Sequence, residues 1–225
     1  MGRKPVSILI SVFFFTLVIS SAGYGQGTSV GVKAGTLGAG LEIERALGDS
    51  FGARVGVNYF TYDYSGTEDD VSYNFDLNLQ TVSLLLDWHP FKGTFRLSGG
   101  LMINGNDIDS TADLVPTESY NIGDSTFTAA DLGTLTGKFD FNNVAPYLGL
   151  GWNTSFGSDR RWAFLCDLGV LFQDSPNVDL TSTGGIQSNN PFFLSELAKE
   201  EQNLQDDLDE YKYYPVVAIG LSYVF

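Results

Sequence analysis

The chain has 225 residues, with 27 acidic side chains against 12 basic ones, a formal charge of −15, and a single cysteine. So acidic a chain repels nucleic acid and anionic lipid surfaces while attracting divalent cations or basic partners, and one cysteine permits no internal disulfide. Glycine is abundant, at 26 residues, charged residues make up only 17 %, and no later segment has eighteen uninterrupted apolar residues, so no transmembrane helix is expected.

The first 25 residues read as a secretory signal peptide. Arg3 and Lys4 form a basic start, an apolar run follows from Val6 to Ile19, and small residues close it. Cleavage after Ala22, Gly23 or Gly25 fits equally well. Residues 26–225 then form one domain of about 200 residues.

The first segment of that domain, SVGVKAGTLGAGLEIERAL, changes parity. Val30, Val32 and Ala34 stand on even positions, and Ala39, Leu41 and Ile43 on odd ones. The turn-competent GTLGAG between them predicts two short strands; one long, bulged strand over 29–47 is the alternative. Next, FGARVGVNY puts Phe51, Ala53, Val55, Val57 and Tyr59 on one face and Arg54 and Asn58 on the other. A parity slip near Gln80, between Phe75, Leu77, Leu79 and Val82, Leu84, Leu86, Trp88, predicts a bulge inside one strand. TFRLSGGLMI sets Phe95, Leu97, Leu101 and Ile103 against Arg96 and Ser98. VAPYLGLGWNTSF and WAFLCDLGVLF continue the period-two pattern, each with an aromatic-ended apolar face and a glycine-rich polar one. With the last strand, VVAIGLSYVF, the count is eight.

The connections alternate. Those at 48–50, 91–93 and 157–160 are tight, and those around 65–72, 107–138 and 174–212 are long and polar. Trp88, Trp152 and Trp162 lie beside the short turns with Phe51, Phe91, Phe95 and Phe156. Tyr59, Tyr62, Tyr64, Tyr73, Phe139, Phe172 and Tyr213 lie near the other strand ends. Two aromatic girdles, short periplasmic turns and long outer loops describe an antiparallel up-and-down transmembrane β-barrel.

On the polar face stand Lys33, Glu42, Glu44, Arg54, Asp87, Arg96 and Asp167. Inside a narrow barrel such charges should pair, because an unpaired buried charge is costly. They read as a salt-bridged plug or, alternatively, as a narrow path for ions or small solutes.

Elsewhere, chemistry is sparse. His89, in DWHPF, sits by a short turn, without a nucleophile in view, and Cys166 falls on the lipid face. Asp107, Asp109, Asp113 and Glu118 are spaced somewhat like a calcium loop, but Ala112 stands where that loop needs glycine. Thr128 and Asp131 form a capping-box spacing that predicts a short helix. PFFLSELAKEEQNLQDDLDEYKYY predicts an acidic amphipathic helix before the last strand, with Leu194, Leu197, Leu204, Leu208 and Tyr211 on one face, interrupted by Glu201, and Glu196, Glu200, Asp206, Asp207, Asp209 and Glu210 opposite.

The alternation ending in Leu221, Tyr223 and Phe225 resembles the C-terminal assembly signal of Gram-negative outer-membrane barrels. The whole mature chain resembles the small OmpA-type and OmpW-type barrels, and KAGTLGAGLE, FRLSGGLMINGN and LGVLFQDSP look like segments of uncharacterised proteobacterial outer-membrane proteins. The resemblance implies residence in the bacterial outer membrane, contact with its lipids, and delivery by the barrel assembly machinery through the last strand. No peptidoglycan-binding domain is expected after that strand. The expected protein is thus an eight-stranded, monomeric barrel with a structural or surface-interaction role, no cofactor and no enzymatic activity. A lipid-modifying enzyme is a further alternative, disfavoured by the position of His89.

Overall fold

The computed structural model describes residues 27–68, 71–116 and 118–225; the expected signal peptide lies outside them. Eight strands close on themselves: β1 (Thr28–Gly35), β2 (Gly38–Ala46), β3 (Phe51–Glu68), β4 (Val71–Trp88), β5 (Phe95–Asn104), β10 (Val144–Phe156), β11 (Trp162–Phe172) and β13 (Tyr213–Val224). Each pairs antiparallel with its neighbour, and β13 returns to β1 from Ser29↔Val224 to Gly35↔Ala218. Closure leaves no free edge in the barrel, which a lipid environment requires. The first segment forms two strands, β1 and β2, joined at Thr36–Leu37.

Parity sets the two faces. Val32, Leu41, Val55, Leu84, Leu101, Leu148, Phe164 and Ile219 all point outward and are exposed. Together they form an apolar belt larger than a water-facing surface tolerates. At the short-turn end Phe95 lies 5.6 Å from Trp152 and 6.1 Å from Phe91, and Tyr223 lies 5.1 Å from Trp162 and 5.2 Å from Phe225 (ring centroids). These contacts build one aromatic girdle. At the other end Phe172 meets Tyr213 at 5.6 Å.

Beyond that second girdle the strands do not stop. β3 and β4 stay paired to Glu68↔Val71, so the stretch around 65–72 is hairpin rather than long loop. β6 (Asp107–Asp113), β9 (Gly133–Asp140) and β12 (Asn177–Gly184) add to them in the order β3-β4-β6-β9-β12. The connection at 107–138 is therefore largely sheet, and that at 174–212 is one strand followed by helix. This outer sheet also explains the parity slip at Gln80. No bulge is present: the β3–β4 register runs unbroken through Tyr59↔Gln80. Val82 to Trp88 face outward on even positions because lipid lies there. Above Gln80 the outside is water, so polar Asn74, Asp76 and Asn78 continue that face and Phe75, Leu77 and Leu79 occupy the inner one. Tyr62 and Tyr64 pair with Leu77 and Phe75 and thus share the inner face; they are not girdle residues. The side chain of Tyr73 lies outside those described.

A hairpin, β7 (Ser119–Ile122) and β8 (Ser125–Thr128), and two helices cover part of that inner face. Thr128 and Asp131 cap α1 (Ala129–Leu132) reciprocally. The long helix α2 (Pro191–Asp207) starts on the Asn190 cap and passes into a 3₁₀ turn at Leu208–Lys212. Phe193 and Leu197 pack with Ile122, Phe127 and Leu132. Here the heptad reading needs correction. Phe193 replaces Leu194 in the buried stripe, and Glu196, Glu200 and Glu201 turn inward. Their carboxylates accept from the backbone N–H groups of Asp124 (2.8 Å), Gly123 (3.0 Å) and Leu180 (3.1 Å), and Gln205 accepts from Val178 N–H (3.2 Å). Leu180 and Val178 belong to β12, the edge of the outer sheet. The acidic helix thus satisfies an edge strand that would otherwise invite pairing.

Candidate functional site in the barrel lumen

Seven charged side chains converge inside the barrel, from five elements plus the β1–β2 hairpin's first strand. Lys33 comes from β1, Glu42 and Glu44 from β2, Arg54 from β3, Asp87 from β4, Arg96 from β5 and Asp167 from β11. Each stands on the face opposite its own strand's lipid-facing stripe. Arg54, 1 % exposed, holds three carboxylates: Asp87 at 3.1 Å through Nε, Asp167 at 2.9 Å and Glu42 at 3.4 Å through Nη1. Its Nη2 also donates to Asp87 Oδ1 (3.1 Å) and Ser98 Oγ (3.1 Å). Asp87 is therefore held by one charge-assisted hydrogen bond, from Nη2, and by the charge of the nearby Nε.

Asp167 bridges both arginines. Oδ2 meets Arg54, and Oδ1 meets Arg96 Nη2 at 2.7 Å. Arg96 also faces Glu44 at 3.5 Å, and Lys33 closes on Glu42 at 2.9 Å. Three positive and four negative groups make one connected network. Buried charges of either sign are costly alone; here each has a counter-charge.

A second layer lies on the long-loop side of the charges. Leu37, Leu85, Met102, Ala145, Tyr147, Leu171 and Val216 pack together across the lumen. Leu37 is the tip of the β1–β2 turn, folded into the barrel mouth. That turn is fastened to β13: Thr36 N–H donates to Val217 O (2.9 Å), Thr36 Oγ1 to Pro215 O (2.9 Å), and Tyr214 OH to Thr36 O (2.6 Å). The lumen-facing glycines make room for these layers. Gly149 and Gly169 are paired across β10 and β11, and a Cβ on either would come within 2.3–2.4 Å of the Tyr147 hydroxyl. Between the layers a cavity of only about 10 Å³ remains, lined in part by Arg54, Asp167, Leu37 and Tyr147. That is about one water's worth of space.

Gly151 gives a direct test of this packing. A Cβ there would meet Asp167 Oδ1 at 2.6 Å and Arg96 Nε at 2.9 Å, both parts of the ion network. Gly151→Ala is expected to destabilise the refolded barrel by about 1–3 kcal/mol, the usual cost of overpacking. Urea unfolding in lipid vesicles reads the loss; an unchanged midpoint would contradict the packing described.

No family model matches the chain, and no curated protein sequence does. Solved structures do. The crystal structure of Acinetobacter baumannii CarO2 is 20 % identical, with a TM-score of 0.61, over 90 % of this chain and 100 % of that one. Acinetobacter baumannii CarO is 22 % identical, with a TM-score of 0.58, over 89 % and 98 % of the two chains. At such identities the likeness is one of fold, and it agrees with the closed ring of eight strands. The chain is a closed, eight-stranded antiparallel β-barrel.

The remaining candidate residues of this barrel lie apart. His89 follows β4 at the short-turn end, where its N–H donates to Ser50 O (2.8 Å). The cleft beside it is lined by Glu44, Asp49 and Lys92, among others, and offers no hydroxyl or thiol side chain. Cys166 is registered with Trp152 and Ile219 on the lipid-facing side. The calcium-loop reading is corrected by β6: Asp107, Asp109 and Asp113 stand on one face of an extended strand, Asp109 about 7 Å along it from Asp107 and Asp113 about 13 Å further, instead of wrapping a point. Glu118 lies past the strand's end. In register, Asp109 stands between Asp76 and Lys138. Partial burial, and then the Asp107 charge, push its carboxyl up from the ordinary aspartate value.

Outside the membrane-spanning region, Glu196 is held below the ordinary glutamate value by Lys199 (2.6 Å) and the Asp124 N–H. The Thr128 cap lowers Asp131 likewise, and Ser175 lowers Asp209. For a depressed carboxylate the stabilisation is present above its unfolded value and lost as pH falls through the folded one. The outer lobe should therefore loosen below about pH 4, under the ordinary carboxylate range. Hydrogen exchange should rise over 119–132 and 191–212 on acidification from pH 6 while the barrel strands stay protected. Equal protection at pH 3 and pH 6 would contradict this.

Proposed function

We propose that the protein is an integral barrel of the bacterial outer membrane, monomeric and closed to solutes, whose role is structural or lies in the surface lobe it displays. The carrying observation is the lumen. Two layers, one ionic and one apolar, leave about 10 Å³ between them, and an eight-stranded barrel is only wide enough for side chains or one small ligand. Short turns and both strand ends at one girdle suit the periplasmic side, and the lobe then faces outward. Export by the 1–25 signal and assembly through Leu221, Tyr223 and Phe225 belong to the same proposal. Tyr223 is packed between Trp162 and Phe225, and Phe225 N–H donates to Thr28 O (3.0 Å), so the last strand both ends the girdle and closes the ring.

Liposome swelling tests the closed state. Vesicles carrying the refolded protein should swell in small sugars or amino acids no faster than empty ones. Rapid swelling would replace this reading with a narrow pore.

A further inference from the structure

The barrel wall splits where it passes into the outer sheet. β5 and β10 pair up to Ile103↔Val144, and β6 and β9 resume at Asp107↔Asp140 in the same register. The Asn104 N–H still donates to Asn143 O (2.8 Å); beyond that bond residues 105–106 and 141–142 do not pair with each other, and a polar cleft of about 460 Å³ opens there. That volume lies in the range of small-molecule sites. Its floor is Asn104 and Asn106, 1 % and 4 % exposed. Their positions are fixed. Asn106 Oδ1 accepts from Gln80 N–H (2.9 Å), and Asn104 Oδ1 accepts from Asn106 N–H (3.3 Å). The rim carries Asn143, Asn177 and the carboxylates of Asp107 and Asp140, with Phe141 beside them.

We propose that this cleft binds a neutral polyhydroxylated ligand, one or two sugar rings in size. Carboxamides offer donors and acceptors together, which is what a hydroxyl needs, and carboxylates accept from hydroxyl pairs. Phe141 supplies an apolar surface for a ring face. None of the residues lining the cleft is cationic, and Lys138 beside it is already paired with rim Asp140 (3.1 Å), so phosphates and carboxylates find no free charge to neutralise them. A bare divalent ion fits poorly. Among the described residues no three His, Cys, Asp or Glu side chains converge. Asp140 is already paired to Lys138 (3.1 Å) and Asp107 accepts from Asn78 (3.2 Å).

The cleft opens just above Ile103 and Val144, the last exposed apolar residues of the belt on these strands. On the outward orientation proposed above, that is the level of the outer leaflet's saccharides. The sugar can therefore be part of a lipopolysaccharide or a free glycan.

The test is calorimetric titration of the full refolded chain in nanodiscs with three probes: a neutral disaccharide, a deacylated and dephosphorylated lipopolysaccharide core, and calcium chloride alone. At least one glycan should bind saturably at about millimolar concentration or below. Asn177→Trp, which fills the mouth, and Asp140→Ala should each weaken it at least tenfold, and Asn121→Trp on the distant β7–β8 hairpin should not. Binding of the disaccharide assigns a free sugar; binding of the core alone assigns the lipid-borne one. Binding of calcium alone, of neither glycan, or of a glycan with equal strength by all variants overturns the proposal. If Asn177→Trp fails to fold, Asn143→Ala removes a rim amide without adding bulk. None of these outcomes depends on whether the lumen conducts.

Discussion

Arg54→Ala is expected to destabilise the refolded barrel by about 3–5 kcal/mol, the cost of breaking a buried ion pair from one side. The substitution strips the counter-charge from Asp87, takes one of two arginines from Asp167, and leaves Glu42 with Lys33 alone. Lys138→Ala is the control. Its pair with Asp140 is about half exposed on both sides, and such pairs contribute about 1 kcal/mol at most. Urea unfolding of both variants in the same vesicles gives the comparison. An Arg54→Ala loss no larger than that of Lys138→Ala would show that the network is not a structural element of the lumen.

Leu84→Arg should cost about 2–4 kcal/mol, because Leu84 stands exposed in the apolar belt. Asn74→Arg, ten residues up β4 on the same face, should change stability by about 0.5 kcal/mol or less, because there the face meets water. The two substitutions have the same parity and the same new side chain, so their difference reports the boundary of the lipid. Equal costs would mean that the belt ends elsewhere than at Gln80.

That boundary shows what a sequence can and cannot reveal. The alternation in β3, β5, β10 and β11 assigns a lipid face and a lumen face directly, and it puts both lumen arginines opposite the apolar stripe. The shift at Gln80 carries the same information in a different form. Period-two patterning reports burial, and in a strand leaving the membrane the buried side changes while the backbone continues unbroken. A bulge and a change of solvent look alike along one strand; the β3–β4 register separates them.

The other misreadings are non-local in the same way. Glu196, Glu200 and Glu201 look like the wet side of an amphipathic helix. They turn inward because the backbone amides of β12 and the β7–β8 turn need acceptors, and nothing in residues 191–212 names those partners. The apolar layer left a faint signal: Leu85, Met102 and Leu171 sit at the polar parity of their strands. Only pairing places them at one height. Likewise NGND (104–107) and DFNN (140–143) are two ordinary polar stretches until the β5–β10 and β6–β9 registers set them face to face.

The most direct test of the central claim is planar-bilayer current through the wild-type protein and Arg54→Ala. The closed lumen predicts no steady conductance for wild type and intermittent or raised conductance once Arg54 is removed. A large, stable wild-type current that Arg54→Ala leaves unchanged would contradict it.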